Sequence, residues 1–234
     1  MDKKGIVYLI PSLLDEDGID GIPGYIIKAV KDCSVFFVEN ERTARRYLKK
    51  LSKDIVIDDY EWYTMSDTSK ISDAFRQKLK EGKTIGIISE AGCPGVADPG
   101  QPLIAIAHKL NIEVKPLVGP NSILLALMAS GMNGQRFQFH GYLPIENHAR
   151  AKTIKELETE SLKKNCTQIF IETPYRNNQL IAALLKACDP SSQLCIAVNL
   201  TSSKEFIKTK TIAEWKKDVP DLHKQPAIFC LLSG

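Results

Sequence analysis

Through the first half of the chain, short runs of β-branched and aromatic residues alternate with longer stretches in which apolar positions recur every three to four residues. The runs at 6–10, 34–38, 55–58, 84–89 and 112–118 read as strands, and the stretches at 24–30, 41–51, 69–80 and 102–110 as helices. That alternation predicts a parallel sheet covered by helices. After Gly119 the pattern changes. Residues 123–130, 149–164 and 177–187 read as helices, and 167–172, 193–200, 205–210 and 227–232 as strands of a mixed sheet. The expectation is an α/β protein of two domains, 1–118 and 119–234, with a boundary at 117–120 where Gly119-Pro120 acts as a hinge.

Two turns interrupt this pattern at strand ends. Ser89 to Gly100 holds three glycines and two prolines in twelve residues, and Gly119-Pro120-Asn121-Ser122 follows the run at 112–118. Such a loop is rigid and brings bare backbone close to its surroundings. In α/β proteins ligands bind at loops on strand C-termini, so the long loop reads as a ligand cradle, with an ordinary strand-to-helix turn as the alternative. It matches neither G-x-x-x-x-G-K-[ST] nor G-x-G-x-x-G, which argues against binding of a nucleotide triphosphate.

Composition narrows the rest. The 234 residues are 44% hydrophobic and 25% charged, ordinary for a soluble globular protein. A net charge of +3 is too small to announce a nucleic-acid partner, so only local clusters could. One such cluster is Arg42, Arg45, Arg46 and Lys49, spaced to share one helical face that is either solvated surface or an anion contact. The six cysteines have no C-x-x-C pair and read as reduced, buried residues of a cytosolic protein. The apolar run at 6–14 is broken by Pro11 and gives way to Asp15, Glu16 and Asp17, unlike a secretory signal. The longest apolar stretch, 123–129, falls short of a bilayer, so a soluble, cytoplasmic protein is expected. His108, His140, His148 and His223 are too dispersed for a ligand spacing such as H-E-x-x-H, and no Cys lies at zinc-like spacing, so no metal is indicated.

Four segments occur in a recognisable order: the loop at 89–100, Gly119-Pro120-Asn121-Ser122, Phe139-His140-Gly141-Tyr142-Leu143-Pro144, and Ile171-Glu172-Thr173-Pro174-Tyr175-Arg176. In this the chain resembles the tetrapyrrole methylase superfamily, the class III S-adenosylmethionine-dependent methyltransferases, from about residue 6 onward. It is most similar to the branch that methylates a cytidine ribose 2'-hydroxyl of small-subunit ribosomal RNA. That branch reads S-D-A-G-T-P-G-x-S-D-P-G, G-P-S-A, G-F-L-P and E-S-P-x-R. The resemblance implies the two-domain class III methyltransferase fold, an N-terminal parallel-sheet domain plus a C-terminal mixed-sheet domain, with S-adenosylmethionine in the trough between them. It implies cofactor contacts at Pro11, Gly92, Cys93, Val96, Asp98, Ser122, Thr173, Leu200 and Ala227, and catalytic candidates at Glu39 and Glu172. Substrate contacts fall on Arg42, Arg45, Arg46 and Arg176. It further implies a homodimer acting on RNA or a small molecule, without membrane or metal. A tetrapyrrole methylase and a non-catalytic S-adenosylmethionine-binding relative are the alternatives.

The chain departs from that branch at polar positions. Cys93 replaces its Thr, Leu13-Leu14 its Gly-Asn after Pro11, Asn40 an Asp, and Val198-Asn199-Leu200-Thr201-Ser202 its R-E-L-T-K. Binding through backbone survives side-chain change, whereas proton transfer and substrate contacts do not. The expectation is a methyltransferase that keeps the cofactor site but does not methylate the usual cytidine.

Overall fold

The computed structural model describes residues 5–65 and 68–234. The chain forms two compact units, Met1–Asn121 and Ser122–Gly234.

Unit 1 contains β1 (Ile6–Ile10), α1 (Ile26–Asp32), β2 (Val35–Val38), α2 (Glu41–Leu51), β3 (Glu61–Thr64), α3 (Thr68–Lys80), β4 (Ile85–Ile88), α4 (Gln101–Lys109) and β5 (Glu113–Pro116). All strand pairs are parallel, in the order β3-β2-β4-β1-β5. Successive side chains of a strand point to opposite faces, and here both faces are buried. Val35 and Phe37 of β2 join the core made with Phe75 and Leu79 of α3 and Leu103 and Ile106 of α4. Phe36 and Val38 join the opposite core, with Ile26 and Val30 of α1 and Tyr47 and Leu48 of α2. Thus β1 and β4 are neighbours, yet the helices that follow them lie on opposite faces. Their outgoing loops diverge and leave a crevice at the strand C-termini.

One expected strand is corrected. The run at 55–58 leads into a 3-10 turn at Ile57–Asp59, and the strand is β3. Ile55 is buried but Val56 is exposed and Asp58-Asp59 follow, so the run cannot continue into the sheet. The aromatic pair after it can: Trp62 stacks on Phe36 at 5.0 Å and Tyr63 on Phe37 at 4.9 Å.

Unit 2 contains α5 (Ser122–Ser130), β6 (Phe137–Tyr142), α6 (Asn147–Lys164), β7 (Thr167–Ile171), α7 (Asn177–Ala187), β8 (Gln193–Val198), β9 (Phe206–Thr211), α8 (Ile212–Trp215) and β10 (Ala227–Leu232). Its sheet runs β6-β7-β10-β8-β9, with β6 parallel to β7 and the other pairs antiparallel, which is a mixed sheet. Ile154 and Leu157 of α6, Leu180 and Leu184 of α7 and Trp215 of α8 pack against Phe170 and Phe229 of the sheet. Sequence periodicity did not reveal β6. It is an edge strand with a register break between Phe139 and Tyr142, both of its ends are exposed, and no alternation marks it. No helix of the described residues is long and apolar enough to cross a membrane. All six cysteines are free and five are buried; burial pushes the Cys188 thiol up to about 12.

Candidate active site

In unit 1 the crevice is closed by the loops after β1, β4 and β5. The Ser12 N–H donates to Gly92 O at 2.8 Å, tying the first loop to the second. Pro11 is held on two sides. The buried Tyr47 of α2 donates its hydroxyl to the Pro11 carbonyl at 2.6 Å, and burial pushes its phenol pKa up, so it remains a donor. On the other side Gly119 lies against the proline ring, where a Cβ would come within 2.1 Å of Pro11 Cβ. Gly92 has φ +73°, a conformation few residues other than glycine adopt, and a Cβ there would meet Leu14 at 3.3 Å.

The remaining groups of the β4 loop divide between holding it and facing outward. The Asp98 carboxylate accepts from Gly95 N–H through both oxygens at 2.9 Å and from Gly100 N–H at 2.8 Å, so it fixes the loop from within. The half-buried Cys93 thiol points at the carbonyls of Gly119 and Pro120, 3.7 and 3.4 Å away, joining the third loop, and burial raises its pKa. Val96 presents an exposed apolar side chain. Pro11, Gly92 and Cys93 therefore meet, while Val96 and Asp98 lie further along the same loop.

Glu39 follows β2 and accepts from the Glu90 N–H at 2.9 Å, placing it at the same loop. The adjacent basic stripe does not act as one face. Arg45 pairs with Glu41 at 2.9 Å and lies 5.3 Å over the Trp62 ring. Arg46 pairs with Glu16 at 2.9 Å, and Lys49 donates to Lys53 O at 3.2 Å. Arg42 is exposed and has no ion pair among the described residues. Between α2 and the β1 loop lies a cavity of about 300 Å³ lined by Ser12, Leu13, Leu14, Arg46, Tyr47 and Glu90, among others. Asn40 caps α2 by accepting from Thr43 N–H at 3.2 Å.

In unit 2, Glu172 follows β7 and is 5% exposed. Its Oε1 accepts from the Thr173 N–H and from Arg176, each at 2.6 Å. Burial pushes the carboxyl pKa up, but the Arg176 guanidinium and the Thr173 N–H outweigh it and hold the group below its ordinary value. Oε2 is buried with no partner among the described residues, as is Thr201 Oγ1. The strand register gathers Glu172, Ala227 and Leu200 at one end of the sheet, since Ile171 pairs with Ile228 and Val198 with Ala227. Asn199 there has φ +50° and bonds Gln225 Oε1 at 2.8 Å. Ser122 opens α5 and is half-buried. Tyr47 is the site-shaping residue that sequence reasoning missed, whereas Gly119 stood in the Gly-Pro turn it singled out. A tyrosine at an apolar helical position carries no signal beyond core packing.

The family model described as Tetrapyrrole (Corrin/Porphyrin) Methylases matches residues 25–216. The chain is 29% identical to the "Ribosomal RNA small subunit methyltransferase I" of Buchnera aphidicola subsp. Schizaphis graminum, over 100% of this chain and 80% of that protein. It is 31% identical to the protein of that name from Halalkalibacterium halodurans, over 91% and 70%. Among solved structures it resembles a uroporphyrin-III-C-methyltransferase from Thermus thermophilus (TM-score 0.58, 16% identity, 98% and 92% covered). A diphthine synthase is also similar (TM-score 0.67, 13% identity, 97% and 89% covered). At such identities the structural likeness speaks for the fold alone.

Proposed function

Since the chain belongs to the tetrapyrrole methylase family and is an S-adenosylmethionine-dependent methyltransferase, we propose that it methylates a ribose hydroxyl of small-subunit ribosomal RNA, as a cytoplasmic homodimer. The observation that carries this reading is the cradle in unit 1, in which Tyr47, Gly119 and the Ser12–Gly92 bridge lock three loop ends together. Relatives named as ribosomal RNA methyltransferases over most of their length support the acceptor.

The residues present suit the cofactor. S-adenosylmethionine has a zwitterionic end, a sulfonium and an adenine, and needs backbone partners, apolar walls and acceptors more than strong cations. Pro11, Gly92, Cys93 and Val96 offer these in unit 1, and Asp98 keeps the loop in shape. In unit 2 Ser122, Thr173, Leu200 and Ala227 are assigned to the cofactor. The unpartnered Glu172 Oε2 and Thr201 Oγ1 support a ligand there, because buried polar atoms ordinarily have partners. When bound, the cofactor supplies an electrophilic methyl group.

A ribose hydroxyl must be oriented and must lose its proton. Glu172 is held ionised, and its Oε2 can accept a hydrogen bond from such a hydroxyl. A carboxylate of lowered pKa is a weak base, so its role is to orient and polarise the nucleophile and take the proton late. Glu39, with one oxygen engaged by Glu90, is the second candidate. Arg42, Arg45, Arg46 and Arg176 are assigned to the anionic substrate.

The acceptor nucleotide is proposed to differ from the cytidine modified by the resembling branch. Asn40 in place of Asp does not bear on this, since both cap a helix equally well. Leu13 and Leu14 do, because they put apolar side chains into the wall of the unit 1 cavity beside Gly92. Transfer of tritium from labelled cofactor to total RNA, compared with a small-molecule extract, tests the function. Label in small-subunit ribosomal RNA is expected, and label confined to the small-molecule fraction overturns the reading. Full restoration of the usual modified cytidine in a strain lacking it, read by mass spectrometry, overturns the altered acceptor.

A further inference from the structure

Arg150 is the most unusual charge in unit 2. It projects from the first turns of α6 and is 5% exposed, yet no carboxylate among the described residues forms an ion pair with it. Among the described residues its one side-chain bond goes from Nη2 to Asn147 Oδ1 at 2.6 Å, and Nε is buried with no partner among them. The nearby Glu146 accepts from the N–H groups of Ala149 and His148 at 2.6 and 2.8 Å, which with the charges of His148 and Arg150 hold its pKa below the ordinary value, but it forms no ion pair with Arg150. A buried, unpaired guanidinium is costly, and a protein keeps one where an anion completes it.

Arg150 lines a cavity of about 660 Å³ between α6 and α7. Asn147, Lys155, Gln179 and Lys186 also face it, four alanines leave it room, and no acidic residue lines it. Lys155 is balanced by Glu158 at 3.0 Å, whereas the exposed Lys186 has no ion pair among the described residues. Through Lys155 the cavity adjoins a second, of about 440 Å³, which Lys152, Lys163 and Lys164 line together with Glu156 and Glu160. There Lys152 and Lys164 are paired with Glu156 and Glu160, and Lys163 has no ion pair among the described residues. Cations without an ion pair among the described residues thus stand at both ends of α6, Arg150 and Lys163, and on α7, Lys186, beside more space than one small anion fills.

We propose that the α6–α7 cavity is a phosphate subsite for the backbone of the RNA acceptor, with Arg150 as its buried cation and Lys186 as its outer one. The guanidinium fork suits a phosphate oxyanion, and cations spaced from Arg150 and Lys186 to Lys163 suit a polymer of phosphates better than a free anion. The choice of occupant rests on the RNA reading above.

The test uses the full chain and its Lys186→Glu and Arg150→Gln variants, each titrated into a fluorescent single-stranded RNA at several salt concentrations. Either substitution is expected to weaken binding by about tenfold and to make the salt dependence shallower by about one phosphate contact. Pyrophosphate should raise the melting temperature of the wild type and not of the variants. Arg150→Gln should still fold, because no ion pair is broken and the Gln amide can donate to Asn147 in place of the guanidinium. Unchanged RNA affinity in both variants overturns the subsite. So does an Arg150→Gln protein that unfolds while Lys186→Glu binds RNA normally, since Arg150 is then structural. Pyrophosphate protection with unchanged RNA affinity replaces the RNA backbone by a free anion as the occupant. A wild type that binds no RNA and methylates only small molecules overturns the RNA reading itself, whereas ribosomal RNA methylation with unaltered variant affinities overturns the subsite alone.

Discussion

Tyr47 and Glu172 are buried polar groups with opposite tendencies, and each is fixed by its neighbours. Burial keeps Tyr47 protonated and donating to the Pro11 carbonyl, so Tyr47→Phe leaves that carbonyl unpaired. The loss is expected to cost about 1–2 kcal/mol of stability and to weaken cofactor binding, both measurable by calorimetry. An unchanged cofactor affinity would detach Tyr47 from the site. Glu172 is held ionised by Arg176 and Thr173, and its stabilisation is full above the ordinary carboxylate value of 4.5. It fades as pH falls through the lowered folded value, because the unfolded state then binds the proton first. Glu172→Gln should therefore lower the melting temperature at neutral pH, by a loss of about 1–3 kcal/mol, and the gap should close in acid. A gap independent of pH would show that the carboxylate charge contributes nothing. At this scale the sequence was only partly legible. Glu172 and Arg176 stood in a recognisable segment, whereas Tyr47 and Arg150 are polar residues turned inward, and helical spacing does not distinguish them from packing or surface positions.

The elements around the crevice were more legible because their signals are local. Glu41–Leu51, Asn177–Ala187 and Ala227–Leu232 coincide with their sequence patterns, and the glycines and prolines of 89–100 mark the loop that spans the crevice. The misread strand at 55–58 and the unseen β6 are edge elements, where cross-strand aromatics or a register break outweigh the local pattern. Gly92→Leu tests the loop as a unit. Its φ of +73° and the Leu14 side chain 3.3 Å from a Cβ leave no relaxed place for a side chain, so cofactor binding should be lost while the β1–β4 pairing survives. Binding at wild-type affinity would move the cofactor elsewhere. The basic stripe of α2 also acquires internal distinctions. Arg45 and Arg46 are neutralised by Glu41 and Glu16, and Arg42 is not. Arg42→Glu should weaken RNA binding several-fold in a salt-dependent way without loss of melting temperature. Equal RNA affinity at low salt would make Arg42 a solvated residue only.

At the scale of the whole molecule, the two units complete their sheets differently: unit 1 adds its last strand at the edge, and unit 2 inserts its last strand in the middle. In unit 1 the first strand waits for β4 and β5, with Val7 paired to Ile85 and Val114, so the parallel sheet is complete once Pro116 is made. In unit 2 the last strand made is β10, and it lies between β7 and β8. Until Ala227–Leu232 leaves the ribosome, β7 and β8 have no bridge, and their apolar edges stay open to any other strand they meet. A nascent chain arrested before Ala227 should yield a protease-resistant unit 1 and a digestible remainder, and a resistant unit 2 at that point would refute this order. Unit 2 is thus exposed to aggregation for as long as β7 and β8 wait for β10, after unit 1 has all its strands, and a chaperone that guards the nascent enzyme at that stage would have to act on unit 2.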